Sequence, residues 1–133
     1  MTAFNERLRQ LRKASSCTQK QIAEAIGTTE QNYQRYERGT QQPTLPVLTS
    51  IANHLDVPID YLTGRGIYKN WEKIIENKDF IIESLEKDLP FVKQVDLRNR
   101  TEKQLISLLP LILEDVQFGD GTIDLVIKPF YLD

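Results

Sequence analysis

A single cysteine, Cys17, excludes an intrachain disulfide framework. A single histidine, His54, has no second imidazole near it in sequence, so it reads as a surface residue, and no metal-ligand cluster or nucleophile–base pair can be assembled around it. No glycine-rich phosphate loop, no apolar run of membrane-spanning length and no leader-like opening occur. These absences predict a cytoplasmic protein without metal, cofactor, enzymatic activity or membrane partner. Excess charge of one sign is also lacking: 17 Lys and Arg face 19 Asp and Glu, a net −2. The balance is uneven along the chain, with eight basic residues against six acidic in residues 1–66 and nine against thirteen in residues 67–133. The first half is therefore +2 and the second −4, so an acidic second half turned away would leave the first free to meet a polyanion. With 40% hydrophobic and 27% charged residues, the composition is that of an ordinary globular chain with room for one or two small domains.

What is present concentrates between Thr18 and Gly39. Thr18 is a good N-cap, and Gln21 three residues later can return a hydrogen bond to the Thr18 N–H, so a helix begins at Gln19. Ile22, Ala23 and Ile26 give it a narrow apolar stripe. Gly27 ends it by entering the left-handed conformation that helix ends commonly need. Thr29 can cap a second helix starting at Glu30, which leaves only a tight turn between the two. In the second helix Tyr33 and Tyr36 share the inward face, while Glu30, Gln31, Gln34, Arg35 and Arg38 share the outward one. Gln and Asn match the donor–acceptor edge of adenine, Arg matches the two acceptors of guanine, and Glu can accept from the amine of cytosine. A solvated helix face is the plain alternative, since polar faces are common.

Thr18-Gln19 with Ile22-Ala23 following, Gly27, Thr28-Thr29 and Tyr36-Glu37-Arg38-Gly39, with Pro43 closing the loop, resembles the helix-turn-helix of the phage-repressor family, the Cro/CI or Xre type. The resemblance runs over roughly residues 4 to 64, through Leu48, Ile51, Ala52, Leu55, Val57 and Tyr61-Leu62-Thr63-Gly64. It implies a five-helix lambda-repressor-like DNA-binding domain over 1–66; beyond it, the residues' own apolar patterning reads as a small, mostly helical dimerisation or regulatory domain over 67–133 with one or two short strands, which makes the chain mainly α. It implies base reading by Glu30, Gln31 and Arg35, backbone contacts from Thr18, Gln19, Asn32, Arg38 and Thr40, and a structural ion pair between Arg12 and Glu37. The implied function is transcriptional regulation by a homodimeric repressor whose helix 30–38 enters the major groove of a pseudo-palindromic operator. Self-cleaving relatives carry a paired serine and lysine in a longer β-rich second half; here Ser84 and Ser107 lie inside apolar-patterned helices. The loop Thr40-Gln41-Gln42-Pro43 carries no Lys or Arg, which implies few phosphate contacts there and a gentle salt dependence.

Elsewhere the periodicity predicts a first helix capped by Thr2 with Phe4, Leu8 and Leu11 inward, and Cys17 as a small buried hydrophobe. A fourth helix, capped by Thr44, buries Leu45, Leu48, Ile51, Ala52 and Leu55, and Pro58 opens a short fifth. Arg65-Gly66 reads as a hinge. A helix from Tyr68 to about Asp88 and another from Thr101 through Val116, kinked at Pro110, both carry apolar faces wider than one small domain needs. Trp71, Ile75, Ile82, Leu109, Ile112 and Leu125 are the residues expected to dimerise the chain, and the strand at 122–126 pairs either within its own domain or, as the surplus apolar faces favour, with the same strand of a second subunit. The alternative is an interaction module, antitoxin-like or controlled by an antirepressor, that works mainly through residues 67–133.

Overall fold

The computed structural model describes residues 3–132, which fold as two compact units dividing after Gly64. The first contains α1 (Phe4–Ala14), α2 (Gln19–Ile26), α3 (Glu30–Arg38), α4 (Leu45–Leu55) and α5 (Ile59–Thr63). The second contains a 3-10 turn (Gly66–Asn70), α6 (Trp71–Glu76), α7 (Lys78–Asp88), α8 (Val92–Val95) and a 3-10 turn (Leu97–Asn99). It continues with α9 (Glu102–Ile112), β1 (Leu113–Gly119), β2 (Thr122–Ile127) and a last 3-10 turn (Pro129–Tyr131). No helix among the described residues is long and apolar enough to cross a membrane.

In the first unit Leu8, Ile22, Tyr33, Ile51 and Leu62 are fully buried, so all five helices contribute to one core. The expected cap Thr2 lies outside the described residues, and Ala3 occupies the N-cap of α1 without a side-chain bond. Thr44 is the N-cap of α4 but its side chain makes no capping bond, and Leu45, expected inside, is 68% exposed because the first turn of α4 precedes the core. Arg7 is the unexpected core residue. It falls three after Phe4 and four before Leu11, on the buried face, and its guanidinium lies over the Tyr61 ring at 4.8 Å while donating to the Tyr61 carbonyl. The Tyr61 carbonyl, which also accepts from the Gly64 N–H at 3.4 Å, lies in the last turn of α5, so a cation there meets the negative end of the helix.

The second unit departs further from expectation. Asn77 separates α6 from α7, so the helix anticipated over 68–88 is two helices preceded by a 3-10 turn that also takes in Gly66 of the expected hinge. Thr101 and Gln104 do form a capping box, but α9 stops at Ile112, and Val116 lies on a strand. Pro110 lacks the N–H that would bond the Ile106 carbonyl, and the Tyr68 hydroxyl donates to that carbonyl instead. Tyr68→Phe is therefore expected to cost about 1–3 kcal/mol, the penalty of a buried carbonyl left unpaired. Denaturant unfolding followed by the fluorescence of Trp71, the only tryptophan, reads this loss. In the Pro110→Ala background, where the backbone donor returns, the loss should shrink.

β1 and β2 form an antiparallel hairpin, with Gly119 opposite Thr122 and Leu113 opposite Ile127. Gly121 takes φ +71°, and Glu114 is the extra residue of a bulge between Leu113 and Asp115. The strand at 122–127 thus pairs within its own chain rather than across a dimer, because the residues read as the last helical turn are its partner strand. Of the side chains expected to dimerise the chain, Trp71, Ile82, Leu109 and Ile112 are buried in this unit, and Ile75 and Leu125 are half-buried. The width of the apolar faces is consumed in closing a core around the hairpin. Trp71 is 1% exposed and donates from Nε1 to Glu102 Oε1 at 3.0 Å.

Candidate nucleic-acid interface

The α2–turn–α3 segment is built as its residues dictate. Thr18 Oγ1 accepts from the Gln21 N–H at 3.0 Å, and Gln21 Oε1 accepts from the Thr18 N–H at 2.9 Å. Gly27 sits at φ +77°, and the Thr28 N–H closes the helix end on the Ala23 carbonyl at 2.9 Å. Thr29 Oγ1 accepts from the Asn32 N–H at 3.1 Å and starts α3. Tyr33 and Tyr36, 0% and 5% exposed and edge-on to each other at 6.3 Å, fasten α3 to the core. Glu30, Gln31, Arg35 and Arg38 are left exposed on the outer face.

Beneath that face lies the ion pair expected from the resemblance. Arg12 Nε donates to Glu37 Oε2 at 2.5 Å and Nη2 to Oε1 at 3.1 Å, a two-bond fork. The side chains are 12% and 4% exposed. Burial works against the charge of Glu37, but hydrogen bonds from Arg12 and from Gln19 outweigh it and hold the carboxyl below its ordinary range. Arg12 Nη1 also donates to the Cys17 carbonyl at 3.0 Å, tying α1 to the start of α2. Asn5 Nδ2 and Arg9 Nη2 donate to the Glu37 carbonyl at 3.3 and 3.4 Å and tie α1 to the end of α3. Gly39 is needed there for its backbone, whose φ is +76°; a Cβ would only touch the Asn5 side chain, 3.4 Å from its Cγ.

The structure brings Thr18, Gln19 and Glu30 together with Lys13 around an open cleft of about 550 Å³ where the end of α1 and the starts of α2 and α3 meet. Asn32 turns toward its own helix, its Nδ2 donating to Thr28 Oγ1 at 3.3 Å and its Oδ1 accepting from Arg35 Nη1 at 3.1 Å. It therefore orients Arg35 on the outer face of α3. Thr40 folds back, its N–H and hydroxyl both on the Arg35 carbonyl at 3.0 and 3.4 Å. Cys17 is half-buried rather than buried, its thiol donating to the Thr18 carbonyl at 3.5 Å and lying 4.0 Å from Nε2 of the exposed His54. The sequence singles out neither Asn5 nor Arg9, and it places Gln34 on the outward face without its partner Gln19, because hydrogen bonds between helices leave no periodic signal. The four-residue spacing of Asn5 and Arg9 on α1 was the one available hint.

Residues 8–62 match the model of a family described as helix-turn-helix. The HTH-type transcriptional regulator YobD of Bacillus subtilis (strain 168) is 44% identical over 61 residues, 46% of this chain and 54% of that one. The cryptic phage CTXphi transcriptional repressor RstR of Vibrio cholerae is 31% identical over 106 residues, 77% of this chain and 95% of that one. The chain spans about half the length of several curated relatives that it matches. The solved structure of Bacillus thuringiensis PlcR, in complex with the peptide PapR7 and DNA, matches 80% of this chain and 41% of that chain. Its TM-score is 0.52 at 22% identity, a likeness of fold alone.

Proposed function

The chain belongs to the helix-turn-helix family of transcriptional regulators, and on that premise we propose that it is a homodimeric repressor that reads a pseudo-palindromic DNA operator with the exposed face of α3. The observation that carries this reading is the pairing of two opposite faces on one short helix. Tyr33, Tyr36 and the Arg12–Glu37 pair lock the inner face, while Gln31, Arg35 and Glu30 stand outward with side chains suited to base edges. Gln31 pairs with adenine and Arg35 with guanine. Glu30 accepts from cytosine and repels other arrangements more than it adds affinity. The start of α2 supplies Thr18 and Gln19 to the backbone, because uncommitted N–H groups at a helix N-terminus suit a phosphate. Arg38 adds a charge to the backbone contacts, and Asn32 and Thr40 act there mainly through Arg35. Repression is favoured by the relative RstR, which is named as a repressor.

Dimerisation is supported by a contiguous exposed apolar group in the second unit. Phe130, Leu132, Leu111 and Phe91 are 68%, 62%, 59% and 43% exposed. Tyr131 links them, stacking on Phe91 at 5.4 Å, touching Phe130 at 4.3 Å and donating to the Leu111 carbonyl at 3.3 Å. Exposed apolar groupings of this kind mark protein contacts, which is also what an antirepressor-type partner would need. Sedimentation of the pure protein separates the two, since only self-association gives a dimer without a second component.

Gln31→Ala and Arg35→Ala are each expected to weaken binding to the duplex selected by the wild-type protein by about 1–3 kcal/mol. Each should relax discrimination at one base pair per half-site. Titration of cognate and single-substituted duplexes measures both quantities, and an equal loss on cognate and scrambled DNA would remove these residues from base reading.

A further inference from the structure

Gln34, on the outward face of α3, has no part in base reading or in the backbone contacts. Gln34 Nε2 donates to Gln19 Oε1 at 3.3 Å, and Gln19 Nε2 in turn donates to Glu37 Oε1 at 3.1 Å. Arg12 grips the same carboxylate with two bonds, so a single chain of polar contacts runs Arg12–Glu37–Gln19–Gln34 from the interior to the surface. We propose that Gln34 is a positioning residue: it fixes the side-chain amide of Gln19 in the one orientation that presents an N–H to a DNA phosphate. The proposal rests on the DNA-binding reading of α2 and α3.

A primary amide has a carbonyl that accepts and a nitrogen with two hydrogens, and rotating it by a half-turn exchanges the two ends. In the observed orientation each end of the Gln19 amide meets a group of opposite character. After a half-turn its carbonyl would face the Glu37 carboxylate, a repulsive contact that no rotation relieves, and its nitrogen would face the Gln34 nitrogen unless Gln34 turned its own amide as well. Glu37 cannot swing away, because it is 3% exposed and held by Arg12. Gln34 supplies the second constraint from the neighbouring helix. With one Gln19 hydrogen committed to Glu37, the other remains for a ligand, on the first residue of α2 where the backbone N–H groups also lack helical partners. Gln34 commits one of its two amide hydrogens to Gln19 and acts on DNA through it. Gln19 and Gln34 are both only half-buried, so loosening them leaves the core intact.

The test uses the full-length chain and the duplex selected by the wild type, with methylphosphonate replacing one phosphate at a time. Wild-type binding should fall at the phosphate that Gln19 meets. Gln19→Ala should weaken binding to unmodified DNA about five-fold and abolish sensitivity at that phosphate alone, as expected for one hydrogen bond. Gln34→Ala should weaken binding about three-fold and abolish the same sensitivity, although Gln34 touches no DNA. The double variant should bind no more weakly than Gln19→Ala, the signature of two residues acting as one. Gln34→Glu, which places an acceptor against the Gln19 carbonyl, should be worse than Gln34→Ala. In the free protein, the side-chain amide proton resonances of Gln19 should shift on Gln34→Ala.

Full methylphosphonate sensitivity in Gln34→Ala, or losses that multiply in the double variant, would overturn the proposal. If the wild type selects no sequence, the DNA reading falls and the proposal falls with it. If the wild type selects a sequence and Gln31→Ala relaxes it as expected while the Gln19–Gln34 cycle is additive, the positioning role alone is wrong.

Discussion

Glu37→Ala is expected to destabilise the first unit by about 3–5 kcal/mol, the range for removing one partner of a buried ion pair. The cost comes mostly from what is left behind. Arg12, 12% exposed, would keep its charge without its carboxylate, and Gln19 would lose the acceptor that orients it. The acid response follows with a definite sign. The Glu37 carboxyl titrates below its ordinary value of 4.5 in the folded chain, so its stabilisation is complete above that value and is lost as the pH falls through the folded-state pKa. Urea unfolding at pH 7 and at successively lower pH should therefore show wild-type stability declining below about pH 4.5, with a shallower decline in Glu37→Ala. A variant within about 0.5 kcal/mol of wild type at pH 7 would mean that the pair behaves like an exposed one.

Trp71→Ala is expected to lower the stability of the second unit by about 3–5 kcal/mol, as large-to-small core substitutions do. The ring is 1% exposed, packs 5.6 Å from the Tyr68 ring and bonds Glu102 through Nε1. An interface residue would behave differently. Its loss would raise the dimer dissociation constant and change how the unfolding midpoint varies with protein concentration, whereas a core residue shifts the midpoint by about the same amount at every concentration. Circular dichroism melts over a hundred-fold concentration range distinguish the two, and Trp71→Phe should show a smaller loss in the same direction.

The contrast between the two units shows what the amino-acid order makes legible. Thr18, Gln21, Gly27, Thr29 and Gly39 act on backbone within four residues of themselves, so their consequences can be read locally, and α2, the turn and α3 stand as expected. Tyr33 and Tyr36 were legible as inward anchors because their three-residue spacing has one meaning on a helix. Leu113 to Val116 was not. Its apolar residues suit either the end of a helix or an inward-facing strand, and short runs of this kind cannot be separated by periodicity. The hairpin partner β2 decides, and it comes later in the chain.

The same reason explains the expected dimer face. Trp71, Ile82, Leu109 and Ile112 are surplus only to helices; with β1 and β2 in the same unit they are buried. Exposed apolar surface does remain, but at Phe91, Leu111, Phe130 and Leu132, residues that no helical stripe singled out. Within the candidate interface, residue types suggested which side chains face a base. Only the folded chain shows that Asn32 holds Arg35 and that Gln34 holds Gln19.

The most direct measurement is selection of bound duplexes from a random DNA library by the full-length protein at fixed salt, repeated with Gln31→Ala and Arg35→Ala. The wild type should enrich one two-fold-symmetric sequence with half-sites about ten base pairs apart, the spacing that places two recognition helices in successive major grooves. Each variant should lose preference at a single position in each half-site. Enrichment of no sequence by the wild type, or an identical sequence from all three proteins, would contradict base reading by α3.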